Sequence, residues 1–256
     1  MMNEKLHNPT LRVIKIIETI AENQSGLSLS QISNMIHCPK STLIPILKTL
    51  CERNYLLFSK ETLLYTMGKE ILFLSSMYES TNTTLDFIQE QIKRLSTECN
   101  ETCHLGILTG NEIMYLLKIT TNNPIQLISS VGKRLPAYAT ALGKALLFDN
   151  NLKELEELFP EPFQQFTSHT LQTPLELFQN IHSNNKDKFT YENEEITKHA
   201  CCIALPIRQN GKIVAALSVS FLTFTTKSEH ILKIKKELLK SASIIEKIIK
   251  NKGFSY

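Results

Sequence analysis

Apolar residues recur at three-residue steps over Leu11, Ile14, Ile17 and Ile20, with Val13, Ile16 and Ala21 widening the stripe. That period predicts an amphipathic helix, broken by Gly26. Ser28-Leu-Ser-Gln31 then has the spacing of a capping box, with Ser28 as N-cap and Gln31 three residues on. A short helix from Leu29 to about Met35 follows, turning Leu29, Ile32 and Ile36 inward. His37-Cys38-Pro39 reads as a turn, and a second helix runs to about Arg53 with Leu43, Leu47 and Leu50 on its apolar face. Two extended runs, Tyr55–Phe58 and Leu63–Thr66, are joined by Ser59-Lys60-Glu61-Thr62, the length of a hairpin loop. After Gly68, Lys69–Tyr78 predicts a helix carrying Ile71, Leu72, Leu74 and Met77. Glu79–Thr84 is polar and aperiodic, so the spacing puts a domain boundary there.

Beyond it the periods alternate. Leu85–Leu95 predicts an amphipathic helix, and Cys103–Leu108 and Ile113–Ile119 predict strands around Thr109-Gly110-Asn111-Glu112. Ile125–Ser129 predicts a further strand, and Thr140–Phe148 a helix opened by a capping threonine. Leu152–Leu158 and Leu175–Ile181 predict flanking helices. Cys202–Ile207 and Ile213–Phe221 predict strands around Asn210-Gly211, and Ser228–Ile249 a long closing helix. Strands in two hairpins with helices before and after imply a sheet covered by helices.

Composition narrows the class. The chain has 256 residues, 42% hydrophobic and 21% charged, enough for one or two ordinary domains and unlike a disordered chain. No apolar run nears the roughly 18 residues of a membrane span. Met1–Leu11 includes Asn3, Glu4 and Lys5 and lacks the apolar centre of a signal peptide, so the expected location is the cytoplasm. Six cysteines in this length are not a secreted disulfide framework. The net charge of +3 is too small to argue for nucleic acid by itself. Residues 227–252 hold eight basic and three acidic side chains, but Ile231, Ile234, Leu238, Ile245 and Ile248 give them a core-facing stripe that leaves the lysines on a solvated face.

Helix, capped short helix, turn, second helix and hairpin is the order of a winged helix-turn-helix, in which the second helix enters the major groove. Lys40, Ser41 and Thr42 open that helix, where side chains and free N–H groups suit phosphate oxygens. Ile44, Pro45 and Lys48 continue it, and Ile44 and Pro45 suit thymine methyl groups. Proline is cheap only in a first helical turn, so the expectation is that this helix starts late, near Leu43, rather than kinks.

Several stretches together resemble one family. Gly26–Ser33, Pro39-Lys-Ser-Thr-Leu43, Leu47–Leu50 and Asn54-Tyr-Leu56 resemble the N-terminal domain of the IclR family of bacterial transcriptional regulators. Val131–Pro136 with Ala139-Thr-Ala-Leu-Gly-Lys-Ala-Leu146 resembles the family's most recognisable stretch, and Tyr191–Glu195, Cys202–Ile207 and Ala215–Ser220 fit it in order and spacing. The resemblance covers about residues 9–245 and departs from the family at Pro45, where an arginine is common. It implies an α+β protein in three parts: a winged helix-turn-helix DNA-binding domain (1–67), a linker helix and hinge (68–84), and a GAF-like α/β effector-binding domain (85–256). It also implies homodimers or homotetramers on a double-stranded DNA operator, with no membrane partner.

Thr140-Ala-Leu-Gly-Lys144 brings the N–H groups of Ala141, Leu142 and Gly143 to a helix start, an anion site suited to a carboxylate. Lys144 reads more readily as a solvated helix residue than as a ligand cation. By resemblance the effector pocket adds Glu192, Cys202, Ser218 and Ser220. Ser218 and Ser220 alternate with Val219, so both hydroxyls face one side. Glu192 replaces the family's usual aspartate, and His199 stands where the family has a glycine, so the loop between them is expected to be reshaped.

The expected function is therefore a DNA-binding regulator whose operator affinity is set by a small metabolite, expected to be a carboxylate, with no cofactor, no metal and no catalytic residue. The alternatives are a thiol- or metal-responsive regulator and, less favoured, an enzyme on the GAF-like domain. Cys99, Cys103, His104, His199, Cys201 and Cys202 supply soft ligands, but adjacent Cys201 and Cys202 on a strand point apart. Lys198 and His199 could lower a neighbouring thiol's pKa. An enzyme lacks a Gly-rich phosphate loop and a nucleophile elbow, and Glu192, Glu194 and Glu195 show no partnered acid and base.

Overall fold

The computed structural model describes residues 6–80, 83–121, 129–160, 162–183, 188–224 and 226–254. The chain forms two compact units, Met1–Asn82 and Thr83–Tyr256.

In the first unit α1 (Asn8–Ala21) leads to β1 (Leu27–Ser28), α2 (Leu29–Met35), α3 (Lys40–Glu52), β2 (Leu56–Phe58), β3 (Leu64–Met67) and α4 (Lys69–Ser80). Ile16, Ile20, Ile32, Leu43, Leu47 and Leu56 form its buried core. The Ser28 hydroxyl accepts the Gln31 N–H at 3.3 Å while Gln31 Oε1 accepts the Ser28 N–H at 2.9 Å, completing the capping box. Ser28 also belongs to β1, a two-residue strand too short for any period to reveal, which pairs with β3 on the side opposite β2. The turn into α3 is pinned by the Ser33 hydroxyl, which donates to the Cys38 carbonyl at 2.7 Å.

The expected late start of the second helix is not what forms. Thr42 and Leu43 both donate their N–H to the Pro39 carbonyl, so α3 begins at Lys40 and carries Pro45 in its interior. Pro39, fixed in φ, sets the start, while Pro45 has no N–H to return to the Ser41 carbonyl. Ser41 itself is exposed, on the outward face of α3.

In the second unit α5 (Thr83–Cys99) is followed by β4 (Thr102–Thr109), β5 (Glu112–Ile119), β6 (Arg134–Pro136), a single 3-10 turn (Ala137–Ala139), α6 (Ala141–Leu146), α7 (Leu152–Leu158), α8 (Pro174–His182), β7 (Thr190–Asn193), β8 (Ala200–Gln209), β9 (Lys212–Leu222) and α9 (Ser228–Lys252). One antiparallel sheet runs β6-β5-β4-β9-β8-β7. Along β9, Leu217, Val219 and Phe221 pack with Ile88 and Ile92 of α5 and Ile234, Leu238 and Ile245 of α9. Ala216 joins the opposite layer with Ala145, Leu155 and Leu177 of α6, α7 and α8. Strand alternation thus gives the sheet two covered faces. The edge strands β6 and β7, three and four residues long, escape a reading by period. Of the strand expected over Ile125–Ser129, residues 125–128 lie outside the described residues, and Ser129 is not in a strand.

Candidate functional site

Two places gather the candidate residues, one in each unit. On α3, Leu43, Leu47 and Leu50 point into the core, which turns Lys40, Ser41, Ile44, Pro45 and Lys48 outward on an exposed face. Thr42 is half-buried. Ile44 is 52% exposed, an uncovered aliphatic side chain among polar neighbours. Lys48 reaches Glu52 at 3.8 Å across one turn, a solvated pair worth a few tenths of a kcal/mol, ~0.5 at most. The hairpin β2–β3 supplies the wing, closed by the Leu63 N–H on the Ser59 carbonyl at 2.9 Å.

The second place is a partly open cavity against the sheet in the second unit, about 530 Å³ of empty space with its open mouth included. Strand register builds its floor. Glu192, Cys202 and Ser220 stand opposite one another on β7, β8 and β9. Two residues along, Thr190, Ala204, Ser218 and His104 form the next row over β7, β8, β9 and β4. Both rows lie on one face because their positions differ by two along each strand. Six of the sequence candidates, Ala141, Leu142, Glu192, Cys202, Ser218 and Ser220, therefore meet at the cavity.

Gly143 does not line the cavity. Its N–H goes to the Thr140 hydroxyl at 2.9 Å, the N-cap of α6, so it is not available to an anion. Its role is packing: a Cβ there would sit 2.1 Å from the Ala137 carbonyl oxygen. The Thr190 hydroxyl donates to the Ala141 carbonyl at 2.7 Å and ties the start of α6 to β7.

Lys144 overturns the expectation of a solvated side chain. It is fully buried and donates from Nζ to Glu195 Oε1 at 2.5 Å and to the Tyr191 carbonyl at 3.0 Å. Burial pushes the Glu195 carboxyl up and the Lys144 ammonium down, and each partner's charge opposes the other's shift. The pair is thus a partnered acid and base that the sequence did not disclose. It stands behind the cavity wall rather than in it. Glu195 Oε2 is a buried oxygen without a hydrogen-bond partner, among the described residues.

The cavity itself holds few charges. Glu192 is buried, and its Oε1 accepts the N–H groups of Glu195 at 2.6 Å and Ile196 at 3.3 Å. Burial nevertheless pushes its carboxyl up to about 7, outweighing those two bonds. Burial pulls His104 down to about 3, so its ring is neutral; its Nε2 shares a 2.8 Å bond with the Ser129 hydroxyl.

The thiols run against the expectation that Lys198 and His199 would acidify them. Burial raises Cys202 well above the usual thiol range and Cys201 to about 11, with Glu192 adding to both. Cys202 faces the cavity and lies 2.9 Å from the Ser220 hydroxyl, while Cys201 packs toward the α5–α9 side. All six cysteines are free thiols, and no group of three or more metal-ligating side chains assembles among the described residues. His199 takes φ +65° in the loop after β7, the left-handed region that favours glycine.

Sequence reasoning missed His104, Tyr115, Thr140 and Ser129 as wall residues. The Tyr115 and His104 rings lie 4.9 Å apart and tilted, on the adjacent strands β5 and β4. Thr140 was legible as a cap but not as a wall.

Two family models match the chain. The model described as the IclR helix-turn-helix domain matches residues 10–58, and the one described as the bacterial transcriptional regulator IclR C-terminal domain matches residues 80–247. The HTH-type transcriptional regulator XynR of Escherichia coli (strain K12) is 30% identical over 215 residues, covering 83% of this chain and 85% of that protein. A transcriptional regulator from Alicyclobacillus acidocaldarius has the same fold, with a TM-score of 0.83 at 16% identity, covering 95% of this chain and 99% of that one. An IclR homologue from Microbacterium hydrocarbonoxydans, solved in complex with 4-hydroxybenzoate, aligns with a TM-score of 0.77 at 21% identity over 94% of this chain and 99% of that one.

Proposed function

This chain belongs to the IclR family of bacterial transcriptional regulators, and from that premise we propose that a small carboxylate bound in the second unit sets its affinity for an operator. The observation that carries the reading is the pair of side-chain rows on one face of the sheet, Glu192-Cys202-Ser220 and Ser218-His104, closed over by the start of α6. The cavity offers two serine hydroxyls, a neutral thiol and the first turn of α6 at Ala141 and Leu142, with no lysine or arginine among its described lining residues. Such a lining suits an anion small enough to be satisfied by hydrogen bonds alone. The relative bound to 4-hydroxybenzoate, itself a carboxylate, supports the same chemistry.

DNA is read by the exposed face of α3. Lys40 and Ser41 meet phosphates, with Thr42 beside them, while Ile44, Pro45 and Lys48 face base edges in the major groove. The chain works in the cytoplasm as a homodimer or homotetramer, so that two α3 helices meet a two-fold operator. Ligand changes operator affinity only if it binds the operator-competent arrangement more or less tightly than the other.

The experiment is a shift assay on a duplex selected from a random pool by the full chain, repeated with pyruvate, lactate, benzoate and 4-hydroxybenzoate. The reading expects at least one of these to change the apparent affinity for the duplex. No change with any of them, at concentrations well above their other cellular binding, removes the carboxylate reading. Failure to select any duplex removes the operator reading.

A further inference from the structure

Glu192 sets up an electrostatic problem for any anion in this cavity. It is 5% exposed, and its place opposite Cys202 in the β7–β8 register puts its carboxyl over the row that floors the site. Its charged and titratable neighbours come from every element packed around it. On its own segment are Glu195, buried, and Glu194, half-buried. From α6 comes Lys144, already engaged by Glu195 and by the Tyr191 carbonyl. From β8 come the thiols of Cys201 and Cys202, held neutral by burial. From β4 and β5 come the neutral ring of His104 and the neutral phenol of Tyr115. Lys118, on β5 opposite His104, donates to the Ser129 carbonyl at 2.6 Å and does not line the cavity, and His169 acts on Glu195 rather than on Glu192.

Lys144 and Glu195 cancel, and Lys118 stands behind Ser129 and His104, so among the described residues an ionised Glu192 leaves the lining itself with one negative charge and no lysine or arginine. A carboxylate entering beside it would meet a like charge in a buried site, which is disfavoured. A protonated Glu192 removes that repulsion, and its O–H becomes a donor to the incoming carboxylate. We propose, building on the reading of this cavity as a carboxylate site, that where Glu192 is ionised in the free protein the site takes up one proton from solvent onto it on binding its anion, and returns it on release. Effector sensing by this chain is then pH-linked, tightening as the cytoplasm acidifies. The raised pKa of Glu192, near neutrality, puts the transition in the range a cell visits.

Isothermal calorimetry tests this on the full chain with pyruvate, lactate and benzoate, all of which stay singly charged between about pH 6 and about pH 8.5. Running each titration in two buffers of different ionisation enthalpy reads the protons taken up per ligand. Uptake should be near zero at about pH 6 and approach one at about pH 8.5, while Kd weakens by nearly tenfold per pH unit above about pH 7.5. Glu192→Gln should bind with a Kd that no longer changes with pH and with no uptake. Binding that is flat in pH with no uptake overturns the proton linkage and leaves the carboxylate reading standing. The same pH slope in Glu192→Gln as in the parent also overturns it, because the proton then sits elsewhere. No binding of any of the three acids at about pH 6 removes the carboxylate reading and this proposal with it. Should Glu192→Gln fail to fold, the uptake measured on the parent decides alone.

Discussion

At the scale of single residues, the buried charges of the second unit decide more than its apolar side chains do. Glu192 has its carboxyl pushed from the usual value near 4.5 up to about 7 by burial. Between those two values the unfolded chain has released the proton that the folded chain still holds, so stability falls as pH rises through that window and is level above it. Glu192→Gln, which keeps an acceptor for the Glu195 and Ile196 N–H groups, should be about 3 kcal/mol more stable than the parent at about pH 8 and no more stable near pH 4. Urea unfolding at the two pH values checks this, and an equal difference at both would show that the carboxyl is not held neutral by the fold. Lys144 and Glu195 make the complementary case. Lys144→Met leaves a buried carboxylate unpaired and should cost about 3–5 kcal/mol, most of it regained in Lys144→Met/Glu195→Leu. A double variant no more stable than the single one would mean that the pair is not what the lysine serves. The same residues mark the limit of sequence reading. Ser218 and Ser220 declare their shared face by alternation with Val219, a local period. Lys144 looks solvated because its partner lies 51 residues away, and only the sheet and α6 together bring Glu195 to it.

At the scale of elements, legibility followed length and repetition. The long helices α1, α5 and α9 and the hairpins β4–β5 and β8–β9 show strong periods, and the capping box of α2 names its own first residue. The short edge strands β6 and β7 have too few residues to show a period, and the start of α3 was misjudged because Pro45 outweighed the plainer signal of Pro39. The sequence reads Gly143 as an N–H donor at the start of α6, whereas what requires glycine there is the close approach of the 3-10 turn before that helix. An alanine there would place its Cβ 2.1 Å from the Ala137 carbonyl oxygen, with backbone rather than a flexible side chain in the way. Gly143→Ala should therefore destabilise the second unit by about 1–3 kcal/mol, seen as a lower Tm in differential scanning calorimetry. An unchanged Tm would mean that α6 slides away from the turn at no cost.

At the scale of the whole molecule, two units with separate cores divide the work: one presents α3 and its wing, the other encloses a cavity. Leu72, Phe73, Leu74 and Met77 remain exposed on α4, at 74% for Leu72, more apolar surface than a solvated helix needs. We expect that face to join two copies of the chain, so Leu72→Glu/Leu74→Glu should lower the mass seen by light scattering at micromolar concentration. A parent that is already monomeric would remove the two-fold operator from the account. The most direct test of the central claim, that a carboxylate held by the two serine hydroxyls of β9 governs operator binding, is calorimetry of the parent and of Ser218→Ala/Ser220→Ala with whichever acid alters operator affinity. Each serine supplies a hydrogen bond to an anion worth roughly 1.5–3 kcal/mol, so the account predicts at least about a 100-fold weaker Kd in the double variant, with its bare affinity for the duplex intact. Equal affinities in parent and variant would contradict it.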